Sequence, residues 1–321
     1  MTTEATHDDL VRRVKTLSER LWEGHCKAPD IDAWLSNFDG RHSTDLATEQ
    51  LHALHLLASV SYFGLRELRV LLRAMFRDCF RYPIVQRLRA DLGGTRDAAE
   101  VETRFASELA ATRFIGMGNP AESGTHLLYY FRQENRLPRT LFVHQHELLT
   151  SAVTDPAVDF ADPNLKRVVF IDDLCGSGEQ SVQYSRTLLR DLRNVASRRS
   201  RALEFQYLVL FGTISGLERA EAESDFDHVD AVSELDDTYH TYGINSRVFR
   251  KPPDGIDKVV SEAIARAYGS ELWPDCPLGY DDDALLLAFH HNVPDNTLPI
   301  LWYEEGQPPW IAAFPRRPKI Y

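Results

Sequence analysis

The sequence predicts an α/β protein: a parallel sheet core flanked by helices, with an N-terminal helical region and a mixed C-terminal segment. Three observations predict it. From about residue 110, short β-rich runs alternate with helix-period segments, the pattern of βαβ units. Val168-Val169-Phe170-Ile171 is an unbroken apolar run with the length and composition of a strand buried on both faces. That run ends in Asp172-Asp173 and a small-residue turn, Gly176-Ser177-Gly178, after which a helical pattern starts at about Glu179.

Residues 7–26 and 45–91 carry apolar residues at helical spacing, among them Leu51, Leu54, Leu57 and Ala58, then Leu65, Leu68, Leu71 and Leu72. Leu92-Gly93-Gly94-Thr95 breaks the pattern before a further helix over 96–112. Residues 1–105 therefore read as a helical region whose stripes pack into core and carry no chemistry. The α/β core is expected over 106–235. Within it Thr112–Met117 predicts a strand, Thr125–Glu134 a helix, Thr140–His146 a strand and Val168–Ile171 the strand of the acid pair. Ser181–Val195 then predicts a helix, Phe205–Gly212 a strand, Ile214–Glu223 a helix and His228–Val232 an edge strand. The Pro- and Asp-rich stretch 155–164 is long enough for a mobile flap. Over 236–321 the pattern is mixed: a helix at Ile256–Tyr268 and strands at Ala284–Phe289 and Leu298–Trp302.

Composition narrows the function. At 321 residues with 43% hydrophobic content, the chain buries a large core and is no disordered segment. A net charge of −12 argues against a general nucleic-acid grip, which works by neutralising phosphates. Arg198, Arg199 and Arg201 read as solvated surface or a partner contact. No apolar run is long enough for a membrane helix, and the first residues lack the basic and apolar regions of a secretory leader. Four cysteines, Cys26, Cys79, Cys175 and Cys276, lie far apart without a CxxC pair, which fits reduced thiols in a cytoplasmic protein. Cys175 reads as a small residue in a tight turn, with a reactive thiolate as the alternative.

A strand, a tight loop and a helix N-terminus make an anion site, because unpaired backbone N–H groups and the helix dipole converge there. Acids just ahead of that loop repel a phosphate unless they reach past it to hydroxyl groups or a metal ion. A phosphorylated sugar satisfies both demands. A Walker A loop requires a lysine that does not follow Gly178, and a dinucleotide fingerprint requires a glycine where Ser181 stands. An ordinary strand-to-helix turn with solvated acids is the plain alternative. His144 and His146 alternate on the strand expected at 140–146, so they share a face as ordinary histidines, as an acid–base group, or as two metal ligands.

The segment 168–181 resembles the phosphoribosyl-pyrophosphate (PRPP) motif of type I phosphoribosyltransferases. Three further stretches resemble a divergent bacterial branch of that superfamily, the phosphoribosyltransferase-like proteins of conflict (anti-phage) systems. They are Gly118-Asn119-Pro120-Ala121-Glu122-Ser123-Gly124-Thr125-His126 with Tyr129 to Arg132, the Trp34–Phe38 region, and His291–Trp302. The resemblance implies that Asp172 and Asp173 hold the ribose hydroxyls as the catalytic acids, and that Gly176, Ser177, Gly178, Glu179 and Gln180 hold the 5-phosphate. It implies a pyrophosphate loop at Asn119, Ser123, Gly124 and Thr125, and a C-terminal hood, 236–321, over the core.

The reaction so implied is Mg²⁺-assisted substitution at the anomeric carbon of PRPP or another ribose-5-phosphate nucleotide, in anti-phage defence. The alternative is a non-catalytic nucleotide or PRPP sensor, a regulatory subunit with a protein partner in a defence operon. No protein ligands to a resident metal are assigned. One departure from the resemblance is plain: no Lys or Arg lies between Arg139 and Lys166, where a basic pyrophosphate clamp is expected.

Overall fold

The computed structural model describes residues 3–43, 45–118, 123–304 and 309–316, with residue 3 and residues 123–126 described by their backbone alone. Six strands occur among them: β1 (Ser61–Phe63), β2 (Thr112–Gly116), β3 (Arg167–Cys175), β4 (Glu204–Thr213), β5 (His228–Leu235) and β6 (Leu287–Phe289). Every residue of β3 is buried, which is why its sequence runs apolar without alternation. It sits in the middle of a sheet ordered β2-β3-β4-β5, pairing in parallel with β2 (Phe114 opposite Val169) and with β4 (Asp172 opposite Val209). The expected α/β architecture, a parallel sheet flanked by helices, is the one observed.

Contacts divide the chain into two compact units, Met1–Leu68 with Leu235–Tyr321, and Arg69–Glu234. The N-terminal helical region is thus shared between them. Helices Tyr82–Asp91 and Ala98–Ala110 belong to the sheet unit, where Phe80 and Phe131 meet Phe114 of β2 and Phe105 meets Phe80 in a cluster of edge-to-face and tilted rings. The first three helices (Thr3–Arg20, Ala28–Leu35, Leu46–Leu57) instead share a core with the C-terminal residues, in which Trp22, Trp34 and Leu54 pack with Tyr268, Leu301 and Phe314. A short parallel pair, β1 with β6, belongs to that unit.

Three expected strands change. Thr140–His146 forms two 3-10 turns, Arg139–Leu141 and Gln145–Glu147, joined by one parallel bridge from Phe142 to Phe114. Pro138 opens the first turn, and Glu147 accepts from the His144 N–H at 2.6 Å to close the second, so local capping wins over β-rich composition. Leu298–Trp302 holds a helical turn, Pro299–Trp302, because Pro299 is preset for a first helical position. Of Ala284–Phe289 only β6 pairs as a strand, since Ala284 takes a left-handed conformation, φ 48°. The helix after the acid pair runs from Glu179 to Arg198 and widens to a π turn at Ser185–Leu189.

Candidate functional site

The site is placed by strand order. β2 pairs with β3 on one side, so the bridge of Phe114 to Phe142 puts the segment that follows β2 on its other side. The chain therefore steps outward after β2 and returns to start β3, which makes the β2–β3 boundary a point where strand order reverses. Open parallel sheets bind ligands at such a point, beyond the carboxyl ends of the strands. Two loops leave there. Met117 and Gly118 lead from β2 towards helix Ser123–Glu134, and residues 176–178 lead from β3 into helix Glu179–Arg198. The Met117 N–H donates to Ile171 O at 2.9 Å, and Tyr184 Oη donates to Gly118 O at 3.2 Å, so the second helix holds the first loop.

Packing fixes the loop 176–178. Gly178 is left-handed, φ 73°, and a Cβ there meets Gly216 O at 2.5 Å. A Cβ on Gly216 meets Gly176 O at 1.8 Å, so two chain segments touch through backbone alone. Thr213, the last residue of β4, accepts from the Gly216 N–H (2.9 Å) to cap helix Ile214–Glu223 and donates its hydroxyl to Gly176 O (2.6 Å). Arg219 donates to Ser177 O at 3.4 Å, which brings a guanidinium to the loop's edge. The Glu179 carboxylate accepts from Gln183 Nε2 at 3.1 Å, one turn along the helix.

The two acids differ in surroundings. Asp172 alternates with Val168 and Phe170, which lie in the core with Tyr207 and Val209, so it faces that interior, and it is 4% exposed. Its Oδ2 accepts from Tyr207 Oη at 3.3 Å and its Oδ1 from the Asp173 N–H at 2.9 Å. Burial, then the Asp173 charge, push its carboxyl well above the usual aspartate range. Asp173, next along the strand and 8% exposed, keeps its carboxyl within hydrogen-bonding reach of that of Asp172, and its Oδ1 accepts from the Leu174 N–H at 2.9 Å. Burial, with Asp172 nearby, raises the Cys175 thiol to about 12, which fits the small structural residue rather than a thiolate.

Beside these loops opens a cleft of about 640 Å³, lined by Ile115, Gly116, Gly118, His144, His146 and Leu188 among others. Asp172 and Asp173 are not in its wall; Gly118 joins the two regions, since Gln145 from the cleft also donates to its carbonyl at 3.2 Å. The His144 and His146 rings stack in parallel with centroids 5.7 Å apart, and both residues are exposed. The acidic stretch 155–164 turns to arginines instead of the site. Asp162 pairs with Arg113, and Asp159 lies 3.9 Å from Arg199 and 3.7 Å from Arg201.

The family model PRTase-CE matches residues 31–316. The chain belongs to the PRTase-CE family. This PRTase-CE chain is accordingly a phosphoribosyltransferase-like protein. It is similar to the solved orotate phosphoribosyltransferase from Aeropyrum pernix, at 17% identity over 42% of this chain and 72% of that one, TM-score 0.22. Similarity extends to the adenine phosphoribosyltransferase from Trypanosoma brucei (16%, 46% and 69%, TM-score 0.22). The Helicobacter pylori xanthine-guanine-hypoxanthine phosphoribosyltransferase gives 10% over 60% and 100%, TM-score 0.25. At these TM-scores the superpositions carry no residue-level correspondence. No curated protein matches the chain.

Asp172, Asp173, Gly176, Ser177, Gly178, Glu179 and Gln180 lie together at the end of β3 in the PRTase-CE chain. Asn119 falls outside the described residues, and of Ser123, Gly124 and Thr125 only the backbone, at the start of helix Ser123–Glu134, is described. Sequence reasoning missed Tyr207, Thr213, Gly216 and Arg219. Only Thr213 carried a local signal, as a helix N-cap.

Proposed function

We propose that this PRTase-CE protein binds PRPP or another ribose-5-phosphate nucleotide and catalyses substitution at the anomeric carbon, in the cytoplasm, as part of bacterial anti-phage defence. The observation that carries the reading is the acid pair at the carboxyl end of β3, at the strand-order reversal, followed by the loop clamped between Thr213 and Gly216. In this reading Asp173, with Asp172 beside it, holds the ribose hydroxyls. The loop 176–180 donates backbone N–H groups to the 5-phosphate, and Arg219 supplies positive charge at its rim. The backbone N–H groups at the start of helix Ser123–Glu134, with Asn119, Ser123, Gly124 and Thr125, receive the pyrophosphate. At C1 the bond to the pyrophosphate oxygen breaks and its electron pair leaves with the pyrophosphate, while an acceptor nitrogen or oxygen bonds to C1.

The carboxylate oxygens of the acid pair are hard donors of the kind Mg²⁺ takes together with substrate phosphates, and Mg²⁺ when bound offsets the leaving group's charge. The test titrates PRPP and nucleotides with Mg²⁺ into the wild type and into the Asp172→Ala/Asp173→Ala double variant. Tight binding by the wild type alone is expected, and equal binding by both removes the reading.

A second reading, a non-catalytic sensor acting on a defence partner, is favoured by one observation. The stretch that a pyrophosphate clamp would occupy is acidic, and its Asp159 and Asp162 are committed to Arg199, Arg201 and Arg113. Turnover separates the two: release of pyrophosphate or a base over time favours the enzyme, and binding with thermal stabilisation but no product favours the sensor.

A further inference from the structure

The unit built from both ends of the chain carries a group of side chains that the sugar-phosphate reading does not use. One ligand atom from each of Glu23, His25 and His290 lies within 4.8 Å of the other two. Glu23 and His25 come from the turn after the first helix, and His290 follows β6, 267 positions from Glu23 in sequence. Glu23 Oε2 and His290 Nδ1 are 2.7 Å apart, and the His25 and His290 rings meet edge to face with centroids at 5.2 Å.

The turn is built to hold this arrangement. Trp22 and Cys26, both fully buried, anchor it on either side, while Glu23 and His25 stay at the surface. Glu23 takes a left-handed conformation, φ 50°, which costs a non-glycine residue about 1 kcal/mol or more. Its carboxylate is oriented by the Leu65 N–H, 3.2 Å from both oxygens, and by Tyr62 Oη at 3.3 Å. A Cβ at Gly64 would come within 2.8 Å of the same carboxylate, so that position leaves it room. Outer donors of this kind fix metal-binding carboxylates.

We propose that Glu23, His25 and His290 form a site for a divalent transition-metal ion of the zinc class. Two imidazoles and one carboxylate are the donor set of open zinc sites, whereas Mg²⁺ and Ca²⁺ favour all-oxygen shells. The Glu23 and His290 side chains are each 34% exposed, which leaves the remaining coordination positions to water. The metal replaces the Glu23–His290 contact, taking the carboxylate on one side and the imidazole nitrogens on the other.

Isothermal titration of Zn²⁺ into the chelator-treated full chain tests this, beside His25→Ala, His290→Ala, Glu23→Gln and Tyr62→Phe. One ion per wild-type chain is expected. Tyr62→Phe should weaken binding about tenfold through its outer hydrogen bond, and the three ligand variants should weaken it more. His144→Ala/His146→Ala should leave it unchanged. Circular dichroism checks folding, and Co²⁺ absorption of the wild type, which needs no variant, should report a four- or five-coordinate ion. Octahedral Co²⁺, no stoichiometric zinc, or equal affinity in folded Glu23→Gln and His290→Ala overturns the site and leaves a plain carboxylate–histidine ion pair.

Discussion

Gly216→Ala tests the clamped loop from a position that is not itself proposed to bind ligand. The added Cβ lies 1.8 Å from Gly176 O and 2.9 Å from Thr213 Oγ1. The Gly176 carbonyl must retreat by roughly 1.5–2 Å to reach an ordinary separation. That movement breaks the 2.6 Å bond from Thr213. Overpacking costs about 1–3 kcal/mol and the lost hydrogen bond about 1 kcal/mol, while alanine returns about 1 kcal/mol in helix propensity. A net loss of about 1–3 kcal/mol in urea-unfolding stability is expected, too little to abolish folding in most domains. The functional loss should be larger in kind, because a 1 Å misplacement of positioning groups costs about a hundredfold. Calorimetric titration of ribose 5-phosphate is expected to show a fall of about 30- to 100-fold. Glu218→Ala, an exposed position on the same helix, should leave both quantities alone. A folded Gly216→Ala protein that loses stability as calculated yet binds ribose 5-phosphate like the wild type refutes the reasoning, since the loop would then have moved without consequence.

Tyr207→Phe removes the buried donor to Asp172 and should lower unfolding stability by about 1 kcal/mol, read from the urea midpoint; no change would mean that the 3.3 Å contact contributes nothing. Arg167, 1% exposed, lies 2.8 Å from Glu204 and 3.5 Å from Glu108, so Arg167→Met should cost about 3–5 kcal/mol at neutral pH. Burial works to raise the Glu204 carboxyl, yet Arg167 holds it below the usual range, so this stability is present above about pH 4.3 and is lost as pH falls through the lowered value. The difference between wild type and variant should therefore shrink on acidification in pH-resolved urea unfolding. Asp172 has the opposite sign: its raised folded value gives stability that is present below about 3.9 and lost as pH rises through it. Asp172→Asn should thus gain stability over the wild type at about pH 9 relative to about pH 4, and a flat difference would contradict the buried assignment.

The segment 167–179 was legible because its causes are local. Burial on both faces writes a continuous apolar run, and the left-handed turn writes a glycine at 178. The residues that brace it were not legible. Tyr207, Thr213, Gly216 and Arg219 reach the loop through the register of β4 on β3, which pairs residues about 37 positions apart and leaves no trace in local pattern. The strand expected at 140–146 failed for the converse reason: a β-rich window yielded to Pro138 and to the Glu147 cap, which act at three-residue range. Helical period likewise revealed the N-terminal helices but not their division. Phe80 and Phe105 join the aromatic face of the sheet, while Trp22 and Trp34 join the C-terminal residues. Side-chain partners that far apart in sequence are set by packing alone.

The two acids that the sequence presents as a pair have different partners. Asp172 points into the core beneath Tyr207, and burial together with the Asp173 charge raises its carboxyl well above the usual aspartate range. The raised value favours the neutral carboxyl, whose shape a carboxamide nearly matches, so Asp172→Asn should change binding little. Asp173, whose carboxyl lies beside that of Asp172, takes the Leu174 N–H and is 8% exposed. Hydrogen bonds from hydroxyls to a charged acceptor are about twice as strong as neutral ones, so Asp173→Asn should remove the larger share of ribose recognition. Titration of PRPP with Mg²⁺ into the two single variants is expected to give a loss of about tenfold or more for Asp173→Asn, since a hydrogen bond to a charged group is worth about 1.5–3 kcal/mol. Asp172→Asn should stay within about threefold of wild type, and its small effect should grow with pH as the wild-type Asp172 ionises. The reverse order, with Asp172→Asn the damaging change at neutral pH, would mean that ligand draws Asp172 out of the core and away from Tyr207. The interior carboxyl would then be the recognition group.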